Sequence, residues 1–188
     1  MRFVLISGPP ASGKTTIAGI ISKEFSLPLF SKDALKEVLF ETMGTKHTEN
    51  ASLLGKMSFG LVFHALEQQL KVKCPCVIEG NFRPSLDRSK FLQLQKSYAS
   101  DWLEIFCHAT QETLLKRFEA RSSTPERHPG HADIVDLELL KKDLAAEVYA
   151  PLNLQGSLLT IETTNFENVS MQDLLSATRK ILSSSSPL

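Results

Sequence analysis

The chain is poor in cysteine, shows no excess charge of either sign and has no long apolar run. Its three cysteines, Cys74, Cys76 and Cys107, are too few for a disulfide framework. Cys74-Pro75-Cys76 is neither a C-x-x-C redox pair nor half of a zinc knuckle. Free thiols in a reducing compartment are the expectation. Lys plus Arg total 21 and Asp plus Glu total 21. A net charge of zero argues against gripping nucleic acid or an anionic membrane through bulk charge, although a local basic patch passes this test. No apolar run approaches the ~20 residues needed to span a bilayer, so no membrane partner is expected. The opening MRFVLIS is too short for the apolar region of a signal peptide, and a glycine-rich stretch follows at once. A cytoplasmic protein is expected. Internal repeats and dividing linkers are absent too. The one low-complexity piece, residues 183–188, reads as a frayed tail.

What is there suffices for a core. The 188 residues, 42% hydrophobic and 22% charged, fit one domain over residues 1–182 and exclude wholesale disorder. A chain of this size buries roughly 70% of the surface its unfolded form exposes. Short apolar runs alternate with longer helix-period runs. Phe3–Ile6, Leu27–Phe30, Cys76–Ile78, Trp102–Cys107 and Leu158–Ile161 read as five strands. Helical spacing follows at Ile17, Ile20, Ile21 and Phe25, and again at Leu35, Val38 and Leu39. A longer stripe runs from Leu54 to Leu66, with Phe59 and Phe63 beside it; it reads as core rather than as a pocket wall. Further stripes are Leu114, Leu115 and Phe118; Leu137 to Val148, stopped by Pro151; and Leu174 to Leu182. Such alternation predicts an α/β protein: a five-stranded parallel sheet with helices on both faces and ligands at the carboxyl ends of its strands.

Directly after the first strand stands Gly8-Pro9-Pro10-Ala11-Ser12-Gly13-Lys14-Thr15, a full G-x-x-x-x-G-K-[ST] match. A polyphosphate has to be wrapped by backbone N–H groups, so the chain must curl without side chains in the way. Gly8 and Gly13 permit the dihedrals this needs, and the helix starting near Lys14 adds its positive end. Lys14 should reach the β- and γ-phosphates, and the Thr15 hydroxyl should ligate Mg²⁺. Given ordinary residue frequencies, a chance match in a chain this long is under about 1%. A GTPase would show D-x-x-G after its third strand and N-K-x-D near a later one. The chain instead has Glu79-Gly80-Asn81 and Thr163-Thr164-Asn165-Phe166.

Four segments taken together resemble the small P-loop kinases: Gly8–Thr15, Ser31–Lys36, Glu79–Phe82 and Leu114–Arg121. The resemblance is to the group that includes polynucleotide kinase, chloramphenicol phosphotransferase and zeta toxin. It implies a three-layer P-loop fold, a mobile lid and transfer of the ATP γ-phosphoryl to a hydroxyl. It also implies roles. Asp33 would accept the proton of the attacking hydroxyl, although an Asp there also suits a helix N-cap. Lys36 falls where the resembling kinases often carry an arginine that holds the acceptor, and offers a point charge instead of a fork. Glu79 would hold Mg²⁺ through water, where those kinases more often have Asp. Asn81 and Arg83 would face the acceptor. Residues 122–132, with Pro125, Pro129 and Gly130, read as the lid. Arg121 or Arg127 would meet the transferring phosphoryl group. Gly8 to Thr15, Thr16 and Arg117 would contact the nucleotide, Arg117 either stacking on adenine or pairing with an acid. Arg88 reads as a surface charge. His128 and His131 lack a third metal ligand nearby and read as part of a lid turn, with one histidine near the phosphates.

The expected ligands are therefore ATP, Mg²⁺ and a small hydroxyl-bearing acceptor. Two alternatives stay open from sequence: a nucleotide-dependent binding or regulatory module without phosphotransfer, and a 5′-hydroxyl polynucleotide kinase, which the neutral composition does not favour.

Overall fold

A computed structural model of the chain describes residues 2–43, 51–122, 124, 127–131 and 133–183. The predicted tail, apart from Ser183, lies outside these residues, as do lid residues 123, 125, 126 and 132.

Five parallel strands form one sheet: β1 (Arg2–Ser7), β2 (Leu29–Ser31), β3 (Val77–Glu79), β4 (Asp101–His108) and β5 (Gly156–Glu162). Their order is β2-β3-β1-β4-β5. The helices are α1 (Lys14–Phe25), α2 (Lys32–Met43), α3 (Ala51–Lys71), α4 (Pro84–Tyr98), α5 (Gln111–Ser122), α6 (Asp133–Ala145) and α7 (Met171–Ser183). None of the described helices is long and apolar enough to cross a membrane.

The continuous apolar run of β1 is explained by burial on both faces. Phe3 and Leu5 pack with Val62, Phe63 and Leu66 of α3 and Phe91 of α4. Val4 and Ile6 point the other way, onto Ile17, Ala18 and Ile21 of α1 and Leu174 of α7. Each large side chain so buried contributes about 1.5–3 kcal/mol relative to exposure. Phe59 and Phe63 are core material, as expected, but Met57 and Leu61 of the same stripe are 40% and 41% exposed. Cys74, Cys76 and Cys107 are free thiols. Burial pushes the thiols of Cys76 and Cys107 up to about 12.

Three boundaries differ from the sequence expectation. Helix α4 carries no clear apolar stripe, because only Phe91 and a few neighbours turn inward, and periodicity does not reveal it. Helix α6 stops at Ala145, well before Pro151; Glu147 takes a left-handed φ of 51° and the Val148 N–H bonds back to the Asp143 carbonyl. The chain after it is therefore free to place Tyr149 elsewhere. Strand β2 is shifted towards Ser31, which the register sets beside Glu79 of β3, level with Ile6 of β1.

Candidate active site

The carboxyl ends of β1, β2 and β3 converge on the curl between β1 and α1. Gly8 has φ 145°, Ala11 64° and Gly13 77°. These left-handed values turn the backbone around an open centre. At Gly8 a Cβ would also lie 2.2 Å from the Cys107 carbonyl oxygen, so no side chain fits between the loop and β4. The Lys14 ammonium crosses the mouth of the curl and donates to the Pro9 carbonyl at 3.3 Å. Ser12 Oγ is buried and finds no partner among the described residues. A cradle of bare backbone with a lysine at its mouth suits a polyphosphate.

The Thr163 hydroxyl steadies the loop from β5. Its oxygen lies 3.0 Å from the Ser12 carbonyl and 2.9 Å from that of His108, and it is fully buried. Sequence reading passed over Thr163 because a lone threonine after a strand carries no signal of its own.

Glu79 is the hub beside the curl. Its Oε2 accepts from the Ser31 hydroxyl at 2.5 Å, its Oε1 accepts from Thr15 Oγ1 at 3.4 Å, and the Lys14 ammonium stands 3.9 Å away. Burial pushes its pKa up, against the pull of Lys14 and of the hydrogen bonds from Ser31 and Thr15. Hydroxyl and carboxylate oxygens are the donors a hard cation takes. Among the described residues no group of three or more His, Cys, Asp or Glu forms a metal cage. A hydroxyl beside a carboxylate fits Mg²⁺, which keeps waters and phosphate oxygens in its shell. Thr15 and Glu79 could hold it.

Asp33 lies in the first turn of α2, next to Lys32, whose ammonium donates to its Oδ1 at 3.0 Å. Burial alone would raise its pKa, but Lys32, Lys14 and His131 together hold it well below the usual carboxylate range. It is not the helix cap; Ser31 Oγ accepts the Ala34 N–H at 3.4 Å and takes that role.

A cavity of about 180 Å³ opens between these elements. Asp33, Lys36, Asn81, Arg83, Arg121 and Arg127 all line it, so the structure brings together these six of the residues singled out in sequence. His131, Asp143 and Tyr149 line it as well. Asp143 and Tyr149 were not legible in sequence, since they reach the cavity through the path of α6 and the chain beyond it. The described part of the lid is seated on α2. His131 Nε2 is 2.9 Å from Glu37 Oε1, and His128 Nε2 is 3.5 Å from Glu41 Oε1. Burial lowers the pKa of His131 despite Glu37 and Asp33.

Pro10 lines the same cavity, whereas Arg117 and Thr16 do not. These two form a separate cleft of about 270 Å³ with Ala11, Gly13 and Phe166. Among the described residues no acid lies within ion-pair distance of Arg117, although its charge helps to lower the pKa of Glu162. Its Nη2 donates to the Thr163 and Thr164 carbonyls at 2.7 and 3.2 Å. The bareness of Gly13 lets Phe166 close in, for a Cβ there would be 3.0 Å from the ring. Arg88 is exposed and remote, 3.5 Å from the Asn153 carbonyl.

Comparison with curated proteins gives no match. Among solved structures, the chain is similar to a candidate kinase from Chloroflexus aurantiacus J-10-fl, with 32% identity, a TM-score of 0.85 and coverage of 96% of this chain and 97% of that one. It shares its fold with a sugar kinase from Janibacter sp. HTCC2649, at 18% identity and TM-score 0.59, over 97% and 94% of the two chains. It does so too with shikimate kinase from Bacteroides thetaiotaomicron, at 14% identity and TM-score 0.58, over 96% and 98%. The family model described as AAA domain matches residues 3–144. The chain belongs to that family and has a P-loop kinase-like fold.

Proposed function

We propose that this AAA domain protein transfers the γ-phosphoryl group of ATP to a hydroxyl of a small molecule. One observation carries the reading: Asp33 and the arginines of the lid side, Arg121 and Arg127, line a single small cavity that opens beside the phosphate loop. A cavity of about 180 Å³ suits a compact acceptor better than a nucleic-acid strand. The Chloroflexus relative and the sugar kinase neighbour point the same way.

In this reading the backbone N–H groups of the loop, which Pro9 and Pro10 do not supply, and the Lys14 ammonium bind the triphosphate. The cleft of Gly13, Thr16, Arg117 and Phe166 takes the base and ribose, with the Phe166 ring as an apolar wall. Thr15 and Glu79 would hold Mg²⁺, with Ser31 orienting the carboxylate, and the ion would supply neutralisation of phosphate charge. Asn81 and Lys36 hold the acceptor so that its hydroxyl oxygen faces the γ-phosphorus. That oxygen bonds to phosphorus, the bond from phosphorus to the β–γ bridging oxygen breaks, ADP leaves, and the hydroxyl proton passes to Asp33. With its pKa held low, Asp33 is a weak base. A loose transition state asks mainly for orientation, and takes the proton late. Arg121 and Arg127 neutralise charge on the moving phosphoryl group while the seated lid excludes water.

The test is a screen of hydroxyl acceptors with γ-labelled ATP and Mg²⁺, read by mass spectrometry of the products. Phosphorylated product is expected with the wild type. Asp33→Asn should retain ATP binding and lose transfer by about 10²–10⁴-fold. Release of label to water alone, across the whole panel, would favour a nucleotide-dependent binding module.

A further inference from the structure

We propose that Glu37 and Glu41 of α2 are positioning residues for the transfer step: with Phe40 beside them they seat the lid turn of residues 128–131, and the seated turn fixes Arg127 at the cavity that Asp33 lines. The proposal rests on the phosphotransfer reading above.

The turn is closed on itself. The His131 N–H donates to the His128 carbonyl at 3.1 Å, and the Gly130 N–H donates to His128 Nδ1 at 3.1 Å. Because Nδ1 accepts, the proton of the neutral His128 ring sits on Nε2. That nitrogen stands 3.5 Å from Glu41 Oε1, while His131 Nε2 is 2.9 Å from Glu37 Oε1. A carboxylate only accepts, so both rings turn a donor to α2. The His128 ring also meets the Phe40 ring edge-on, with centroids 5.4 Å apart. Gly130 is pressed against the same residue. A Cβ there would lie 3.0 Å from Phe40 Cβ and Cγ, so bare backbone is what lets the turn come down. Phe40 is buried yet belongs to neither core cluster, which fits a side chain whose work is to receive the turn. Glu37, Phe40 and Glu41 follow Asp33 at helical spacing, so seat and proposed base share one face of α2.

Arg127 is joined directly to His128, and its own N–H donates to the Thr124 carbonyl at 3.1 Å. Its backbone is therefore held on one side by a turn and on the other by the seat. Arg127, His131 and Asp33 line the same cavity. Burial apart, His131 is one of the charges that hold the pKa of Asp33 low, so the seated turn lies within electrostatic reach of the proposed base. One helix thus carries both Asp33 and the seat of the arginine, and their separation is set by α2 and not by a free loop. An arginine on an unsupported loop would have to be ordered during the reaction, whereas one fixed beforehand stabilises the moving phosphoryl group without that cost. The two carboxylates, 38% and 69% exposed, belong to the surface, and the core does not depend on them.

The experiment measures calorimetric binding of Mg²⁺–ADP with and without aluminium fluoride, which stands in for the phosphoryl group in flight, beside transfer in the acceptor screen. Aluminium fluoride should tighten ADP binding to the wild type. Glu37→Ala should lose roughly 10–100-fold of that tightening, the usual cost of a misplaced group. Its affinity for Mg²⁺–ATP should stay unchanged, because the nucleotide cleft lies elsewhere. Glu37→Gln keeps an oxygen for His131 and should restore most of the loss. Gly130→Ala, which forces a methyl onto Phe40, should reproduce it by another route. In an Arg127→Ala background, Glu37→Ala should cost almost nothing further, since a positioning residue acts only through the group it places. With any acceptor that is phosphorylated, kcat should follow the same pattern. Thermal melting confirms that the variants fold. Losses that add, or wild-type tightening and kcat in Glu37→Ala, overturn the proposal and leave the kinase reading standing. Tightening that depends on Glu37 through Arg127, with label released only to water, upholds the seat and overturns the kinase reading. Neither tightening nor transfer in the wild type overturns both.

Discussion

The Ser31 hydroxyl donates to Glu79 Oε2 across 2.5 Å while accepting the Ala34 N–H, so one side chain both orients the proposed metal carboxylate and caps the helix that carries Asp33. The parallel register of β2 and β3 makes this possible by setting Ser31 level with Glu79. A shift of β2 by one residue would turn Ser31 to the other face.

From that pair follows a pH dependence. The pKa of Glu79 is raised by burial above its ordinary 4.5. A carboxyl whose folded pKa exceeds the unfolded one contributes stability at low pH and loses it as pH rises through the folded value. The same ionisation frees the carboxylate for a cation. The Mg²⁺-dependent part of ATP affinity should therefore grow as pH rises above the ordinary glutamate range. Ser31→Ala, which removes a hydrogen bond to the ionised form, should move that rise to higher pH. Calorimetric ATP titrations with and without Mg²⁺ measure it; a Glu79→Gln variant with the wild-type Mg²⁺ profile would exclude Glu79 from the metal.

Lys14→Ala should leave the far-ultraviolet circular dichroism unchanged, because Lys14 lines the mouth of the loop and does not belong to either core cluster. Its kcat/KM for ATP should fall by roughly 10²–10³-fold, the usual loss for one electrostatic contact to the transition state. Turnover at the wild-type rate would contradict the mechanism.

Thr163→Val replaces a fully buried hydroxyl with a methyl of similar shape. The Ser12 carbonyl then loses the one side-chain partner it has among the described residues. A cost of about 1–3 kcal/mol in urea unfolding is expected. The phosphate loop also loses its tie to β5, so the ATP KM should rise. An unchanged unfolding midpoint would argue that the tie is of no consequence.

Phe166→Ala removes the apolar wall beside Gly13 and leaves the loop amides in place. The lost contact is equal in ground and transition states, so the ATP KM should rise with kcat unchanged. A fall in kcat at constant KM would place Phe166 in the chemistry instead.

Much of the architecture was legible in the residue order because it depends on local pattern. The unbroken apolar run of Phe3–Ile6 read as a strand covered on both faces, and Trp102–Cys107 as a further strand despite Glu104 within it. The Gly8–Thr15 spacing located the phosphate loop, and the resemblance to the small P-loop kinases singled out Asp33, Lys36, Asn81 and Arg83. Helix α4 was not legible, since its few buried positions leave no stripe. Tyr149 was hidden by a helix expected to run on to Pro151; the left-handed turn at Glu147 ends it early.

The sequence by itself determined the alternation of strand and helix, the phosphate curl and the supply of charged groups at strand ends, because each follows from short-range sterics and periodicity. Only the tertiary structure decided that Ser31 meets Glu79, that Thr163 ties the loop across 151 residues of chain, and that Asp143 and Tyr149 grip Arg83. Those pairings depend on strand order and on where α6 stops. Both are settled by burying two separate apolar faces at once, a balance that no single stretch of residues encodes.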